Sequence, residues 1–258
     1  MAIKLTSTRD AQADSGLKVA IHGPAGSGKT TMIASADEPT IIISAEGGLL
    51  SLRHYDIPVI IVTSMAEIEE AYSYIAGPDG AQYKWVGIDS ASEIAEVCLN
   101  AEKITTTDGR RAYGEMQDKM MGMLRAFRDL PKNVVMTFKQ SRVEDGGSGL
   151  TLHSPMMPGR VLTQQVPYLF DEVLALRVER NEAGEFERWA QTARDMQYDA
   201  KDRSGALDAF EPPNLGAIAA KIRGEAPPVV EHVTSTPDPE PEAEITPEPD
   251  QEIENATA

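Results

Sequence analysis

Residues 22–31 read HGPAGSGKTT, in which Gly23, Gly28, Lys29 and Thr30 fill the spacing G-x-x-x-x-G-K-[ST]. These residue types at this spacing build a phosphate cradle. The glycines let the backbone close around a β-phosphate, with the N–H groups of residues 26–30 pointing inward at the start of a helix. Lys29 would bridge the β- and γ-phosphates, and the Thr30 hydroxyl would hold Mg2+. The run Gly23, Pro24, Ala25, Gly26, Ser27, Gly28, Lys29, Thr30 and Thr31 is therefore read as the site of ATP. The motif leaves open what the bound energy is used for, since kinases, transporters, helicases and recombinases share it.

A magnesium-bound triphosphate also needs a carboxylate at the tip of a neighbouring strand, and WVGIDS (85–90) places Asp89 there after four mainly apolar residues. A plain helix-capping role for Asp89 is compatible with the same spacing. Hydrolysis needs a group that orients or deprotonates water. Ser90, not a glutamate, follows Asp89, so the candidate is Glu46 at the end of TIIISAE, the apolar run after the phosphate-loop helix. The bland alternative is a solvated turn residue before Gly47 and Gly48.

Short β-rich runs alternating with helical patterns would carry these residues on an α/β fold with a mostly parallel sheet. Strands are expected at 17–23, 39–46, 58–64, 84–90, 133–140, 172–179 and 186–193, the last two joined as an antiparallel hairpin through RNEAGE. Helices are expected at 28–36, 66–76, 91–104 and 113–130. Met116, Met120, Met121 and Met123 in the last of these read as core packing.

Composition sets outer limits. From Gly224 the chain carries ten Asp or Glu, seven Pro and no Lys or Arg, a composition that reads as disordered. Removing those ten charges from the formal −17 leaves −7 on residues 1–223, so there is no global basic footprint for nucleic acid. The expected organisation is an extension over 1–16, an ATPase core over 17–223 and an acidic, proline-rich tail over 224–258. Cys98 is the single cysteine, which excludes an intramolecular disulfide and a multi-cysteine metal site and suits a reducing cytoplasm. No apolar run approaches membrane-spanning length, so neither membrane insertion nor export is expected.

A catalytic glutamate after the second strand resembles the RecA-type recombinase and hexameric-helicase branch of P-loop ATPases, and ISAEGGLLSLRHYDI (43–57) is similar to the RecA segment ending its second strand in Ala-Glu. VVMTFKQSRV (134–143) resembles the strand whose terminal glutamine senses the γ-phosphate; Gln140 matches it, and 141–160 would then be the second DNA-binding loop. PYLFDEVLALRVE (167–179) resembles the run that returns to the sheet. YDAKDRSGALD (198–208) resembles the Lys-x-Arg-x-Gly loop of DnaB-type helicases, which implies that Lys201 and Arg203 reach a neighbouring subunit's nucleotide. Residues 17–223 as a whole look closest to small phage RecA-like proteins of the fourth Sak group of single-strand annealing recombinases. The resemblance implies a RecA-like core, ATP and Mg2+ as cofactors, DNA-dependent ATPase activity, and single-stranded DNA, a homo-oligomeric ring or filament and possible contact with a single-strand binding protein as partners. The segment with Glu144 and Asp145 departs from RecA's own DNA loop.

Contacts to DNA must then come from local cations. Lys139, Arg142 and Arg160 flank a glycine-rich stretch with Gly146, Gly147 and Gly149, while Arg110, Arg111 and Tyr113 offer phosphate partners beside a stackable ring. Ordinary solvated loops are the alternative for both segments. A function from a different class, a regulatory nucleotide switch acting on a protein partner without DNA, is favoured by the acidic core. A kinase is a third reading, for which no acceptor-binding subdomain is evident.

Overall fold

The computed structural model describes Leu5, Ser7, residues 15–144 and residues 149–226, with nothing of the Glu144 side chain. Asp145, Gly146, Gly147, most of the 1–16 extension and the acidic tail beyond Ala226 lie outside the described residues.

Seven expected strands are present, six of them within a residue or two, while β3 ends three residues early: β1 (Lys18–His22), β2 (Thr40–Ser44), β3 (Val59–Ile61), β4 (Trp85–Asp89), β5 (Asn133–Phe138), β8 (Glu172–Arg180) and β9 (Phe186–Gln191). Between β5 and β8 lie β6 (Gln140–Glu144) and β7 (Thr151–Pro155); after β9 come the two-residue strands β10 (Lys201–Asp202) and β11 (Phe210–Glu211). The helices are α1 (Lys29–Ala34), α2 (Met65–Ala76), α3 (Ala91–Thr105), α4 (Gly109–Arg128), α5 (Arg160–Gln165) and α6 (Leu215–Arg223).

The main sheet runs β11-β9-β8-β1-β5-β4-β2-β3, with β10 also paired to β8. Strands β8, β1, β5, β4, β2 and β3 are parallel, while β9, β10 and β11 pair antiparallel. The inner parallel strands β1, β2 and β4 are buried on both faces, which is why they read as mainly apolar runs in place of alternating ones. One face packs on α2, α3 and α4 through Ile75, Cys98, Met120, Leu124 and Phe127; the other packs on α1 and α6 through Met32, Ile33, Leu215 and Ile218. Met116, Met120, Met121 and Met123 are buried in the first of these clusters, as their spacing indicated.

Two boundaries differ from the sequence reading for physical reasons. The α4 helix starts at Gly109, four residues early, because Asp108 caps it by accepting from the backbone N–H groups of Arg110 and Arg111. Among the described residues of 141–160, where a loop was expected, β6 and β7 form an antiparallel hairpin with Gln140 opposite Pro155 and Arg142 opposite His153, and Arg160 opens α5.

Candidate functional site

Because β1, β5, β4 and β2 are parallel, their C-terminal ends share one edge of the sheet, the edge where open α/β sheets bind ligands. His22 ends β1, Ser44 ends β2 and Asp89 ends β4, and Ser44 is the register partner of Asp89. The phosphate loop leaves β1 there. Gly23 permits its first turn, since a Cβ at that position would stand 2.6 Å from Ser27 Oγ. Gly28 has φ +98°, a left-handed conformation that favours glycine, and precedes the first helical residue, Lys29.

The side chains named from the motif converge. Thr30 Oγ1 donates to Asp89 Oδ2 at 2.7 Å, and Thr137 Oγ1, from the intervening strand β5, donates to Asp89 Oδ1. Asp89 is thereby held in one orientation while only 2 % exposed. Its capping alternative falls to its neighbour: Ser90 Oγ accepts from Glu93 N at 3.2 Å and caps α3. Ser90 Oγ also donates to Glu46 Oε1, so the glutamate across from the Asp89 strand is tethered into the site. Lys29 Nζ donates to the carbonyls of Gly23 and Pro24, each at 2.9 Å, and burial lowers its pKa while the charges of Glu46 and Asp89 oppose that shift.

Folding normally pairs buried polar atoms, so those left over call for an explanation. Among the described residues six such side-chain atoms lack a partner, and four of them, His22 Nδ1, Ser27 Oγ, Ser44 Oγ and Gln140 Oε1, lie at this edge. Hydroxyl and carboxylate oxygens are the donors a hard dication prefers, and Mg2+ habitually takes only one or two protein ligands beside phosphate and water. Thr30 and Asp89 fit that role. Among the described residues no three His, Cys, Asp or Glu side chains converge to form a different metal site. Bound there, Mg2+ would offset charge on the β- and γ-phosphates.

Other expected residues sit less simply. Gln140 does not end β5; it opens β6, and its Nε2 donates to His153 Nδ1 at 2.8 Å, consistent with an imidazole whose pKa burial lowers. Its side-chain carbonyl is buried without a partner, and Gln140 borders a cleft of about 440 Å³ lined also by Pro24, Arg142, His153, Arg177 and Tyr198. Lys201 is turned into its own subunit, where Nζ donates to Pro167 O at 2.7 Å and to Phe170 O, and burial lowers its pKa. Arg203 is 57 % exposed and pairs with Asp171 at 2.7 Å. Both stand at the opposite end of β8 from the phosphate loop, beside β10.

The expected nucleic-acid contacts divide. Lys139 is committed to Glu93 (2.7 Å) and Glu96 (3.0 Å), so it is not the available cation the sequence suggested. Arg110, Arg111 and Tyr113 lie on the first turns of α4, not in a loop, and Arg111 approaches Glu115 at 3.7 Å. Arg142 and Arg160 are exposed, as an electrostatic contact would require.

Two contributors escaped the sequence reading. Thr137 carried a weak signal, as the one hydroxyl in the apolar run VVMTF; Ser90 was noted only for not being glutamate, although its position makes it the tether of Glu46.

A family model described as AAA domain matches residues 15–204, which takes in the phosphate loop, Glu46, Asp89, Gln140 and Arg203. Among solved structures the chain is similar to a KaiC-like protein from the hyperthermophilic archaeon Pyrococcus horikoshii OT3, with 15 % identity, a TM-score of 0.43, and coverage of 72 % of this chain and 84 % of that one. No curated protein matches. With the family match spanning most of the described core, the chain belongs to the AAA domain family of P-loop ATPases.

Proposed function

We propose that this protein binds ATP with Mg2+ and hydrolyses it, coupling turnover to single-stranded DNA as a small RecA-like recombination protein that promotes annealing or strand exchange. The observation that carries the hydrolytic reading is two hydrogen-bonded pairs, Thr30 with Asp89 and Ser90 with Glu46, whose carboxylates both act electrostatically on the Lys29 ammonium. In that arrangement Lys29 neutralises β/γ-phosphate charge, Thr30 and Asp89 take the metal, and Glu46 orients or deprotonates the attacking water. Exposed Arg142 and Arg160 near the hairpin support the nucleic-acid part, and exposed Arg203 supports an oligomer in which one subunit completes another's site. A partnering single-strand binding protein belongs to the same reading.

Engagement of Lys139 by Glu93 and Glu96 favours a second reading, a nucleotide switch for a protein partner. ATP turnover with and without single-stranded DNA separates them. Stimulation of several-fold or more, abolished by Lys29→Ala, supports the recombination protein; turnover indifferent to DNA across a salt series supports the switch.

A further inference from the structure

The phosphate loop has a side that none of its own motif residues covers. A Cβ on Gly28 would meet only one side chain within 4 Å, Arg188, with Cδ at 3.7 Å and Nε at 3.9 Å. Register explains the approach. β8 runs parallel to β1 up to His22↔Ala175 and then continues past it to Arg180, so the part of β9 that pairs with this overhang, through Val178↔Arg188, reaches beyond the end of β1 where the loop lies. Side chains two residues apart share a sheet face. Ala190 packs with Met32 and Ile33 of α1, which puts Arg188 on the α1 face, beside the start of that helix.

We propose that Arg188 is a nucleotide-binding residue supplied by the same chain, its guanidinium bonding the α- and β-phosphates that remain on the diphosphate after hydrolysis. This rests on the reading that the loop holds a nucleoside triphosphate. Gly28 lacks a side chain on the side Arg188 occupies, so the half-buried guanidinium can follow the loop backbone closely. A planar fork of N–H donors matches phosphate oxygens better than an ammonium does. The division of labour is then spatial. Lys29 serves the β/γ junction, and Arg188 grips the part of the nucleotide that does not react.

Calorimetric titration of the full chain with Mg-ADP and with a non-hydrolysable Mg-ATP analogue tests this. Arg188→Gln keeps most of the stem and loses the charge. It is expected to weaken both ligands by a similar factor, about 10- to 100-fold, as loss of a charge-assisted hydrogen bond does. Arg188→Lys should recover part of that loss. Parental affinity of Arg188→Gln for both ligands overturns the assignment and shows that the stem merely packs on Gly28. Loss confined to the triphosphate analogue also overturns it, by moving the contact to the γ-phosphate. Should the glutamine variant melt well below the parent, the parent itself carries the test: bound Mg-ADP should protect Arg188 from an arginine-selective dicarbonyl reagent, and unchanged modification overturns the proposal. A parent chain that binds neither nucleotide refutes the nucleotide reading instead.

Discussion

In the proposed mechanism Glu46 and Ser90 form the pair on which the chemistry would turn. The carboxylate is a usable base only if it is held toward the phosphate edge, and Ser90 holds it while capping α3 with the same hydroxyl. Glu46→Gln should keep ATP affinity and slow turnover by about 10²-fold or more, the usual contribution of a positioned general base. Ser90→Ala leaves the base in place but untethered, so roughly a tenfold loss is expected, in line with one hydrogen bond to a charged group. Single-turnover rates beside nucleotide affinities check both, and an Ser90→Ala rate equal to the parent's would mean that Glu46 needs no tether. Lys201 and Arg203 can be separated in the same spirit. Lys201→Ala strips two backbone carbonyls of their donor and should cost about 1–3 kcal/mol of stability, read by denaturant unfolding. Arg203→Ala should leave the fold intact and remove turnover, with partial rescue when it is mixed with the Glu46→Gln chain if the arginine serves a neighbour. No rescue in verified mixed oligomers would place its role within one subunit.

At the scale of elements, one short turn joins the parts of the molecule that a nucleotide could move. His22, wholly buried and with its pKa lowered by burial to about 4, is neutral, so its Nε2–H donates to the Asp199 carbonyl at 2.7 Å. Asp199 N donates to His153 O at 2.8 Å, and His153 N donates to Gln197 O at 2.6 Å. The turn between them is fixed by Asp195, which accepts from the N–H groups of Gln197 and Tyr198. The Tyr198 ring stacks on His153 at 4.6 Å and carries the Arg177 guanidinium 4.2 Å from its centroid. The chain then enters β10 with Lys201. The segment thus links the base of the phosphate loop, the β6–β7 hairpin and the strand that leads to Arg203. Tyr198→Ala removes the stack and the cation–π contact, together about 1–2 kcal/mol. Amide exchange in β6 and β7 should quicken about tenfold or more, with β1, β4 and β5 unaffected. Unchanged protection of the hairpin would show that its own ladder suffices.

For the whole molecule, stability carries a pH signature. Glu172 is fully buried at the start of β8, opposite Asp202 of β10, and burial first, then the charges of Asp202 and Asp171, raise its pKa to about 8. An unfolded glutamate ionises near 4.5, so between 4.5 and 8 the unfolded chain gives up a proton that the folded chain retains. Stability from this group therefore falls as pH rises through that window and levels off above it, by roughly 2–5 kcal/mol. His22 acts oppositely below about 6.5, and Lys18, lowered to about 8 by burial within reach of the Leu130 carbonyl, acts above 8. The clean interval is pH 6.5–8, where Glu172→Gln should flatten the decline seen in thermal melts; an unaltered slope would assign the decline elsewhere. The tail works at the same scale. If its ten acidic charges compete with nucleic acid for basic sites such as Arg142 and Arg160, a 1–224 chain should bind single-stranded DNA more tightly than the full chain, most at low salt where attraction is least screened. Equal affinity at every salt would leave the tail as a solubilising linker. Among the described residues no helix is long and apolar enough to cross a membrane.

How much was legible in the sequence follows from how local each signal is. HGPAGSGKTT is a strand, a tight turn and a helix start in ten residues, and its geometry is set by neighbours in the chain; the same holds for the apolar run ending in Asp89 and for the RNEAGE hairpin. That Glu46 stands near Asp89 depends on strand order, which local sequence does not carry; the pairing of β2 with β4 makes their strands adjacent. The fates of the cations were not legible at all. Lys139 and Lys201 look as available as Arg142 and Arg203 in the sequence, yet Lys139 pairs with carboxylates of α3, Lys201 turns onto the carbonyls of Pro167 and Phe170, and Arg203, though exposed, pairs with Asp171. The β6–β7 hairpin was hidden because its ladder forms across a glycine-rich stretch that reads as a loop. Periodicity determines which segments form strands and helices; which charges remain free depends on groups far apart in sequence, and tertiary packing alone decides it.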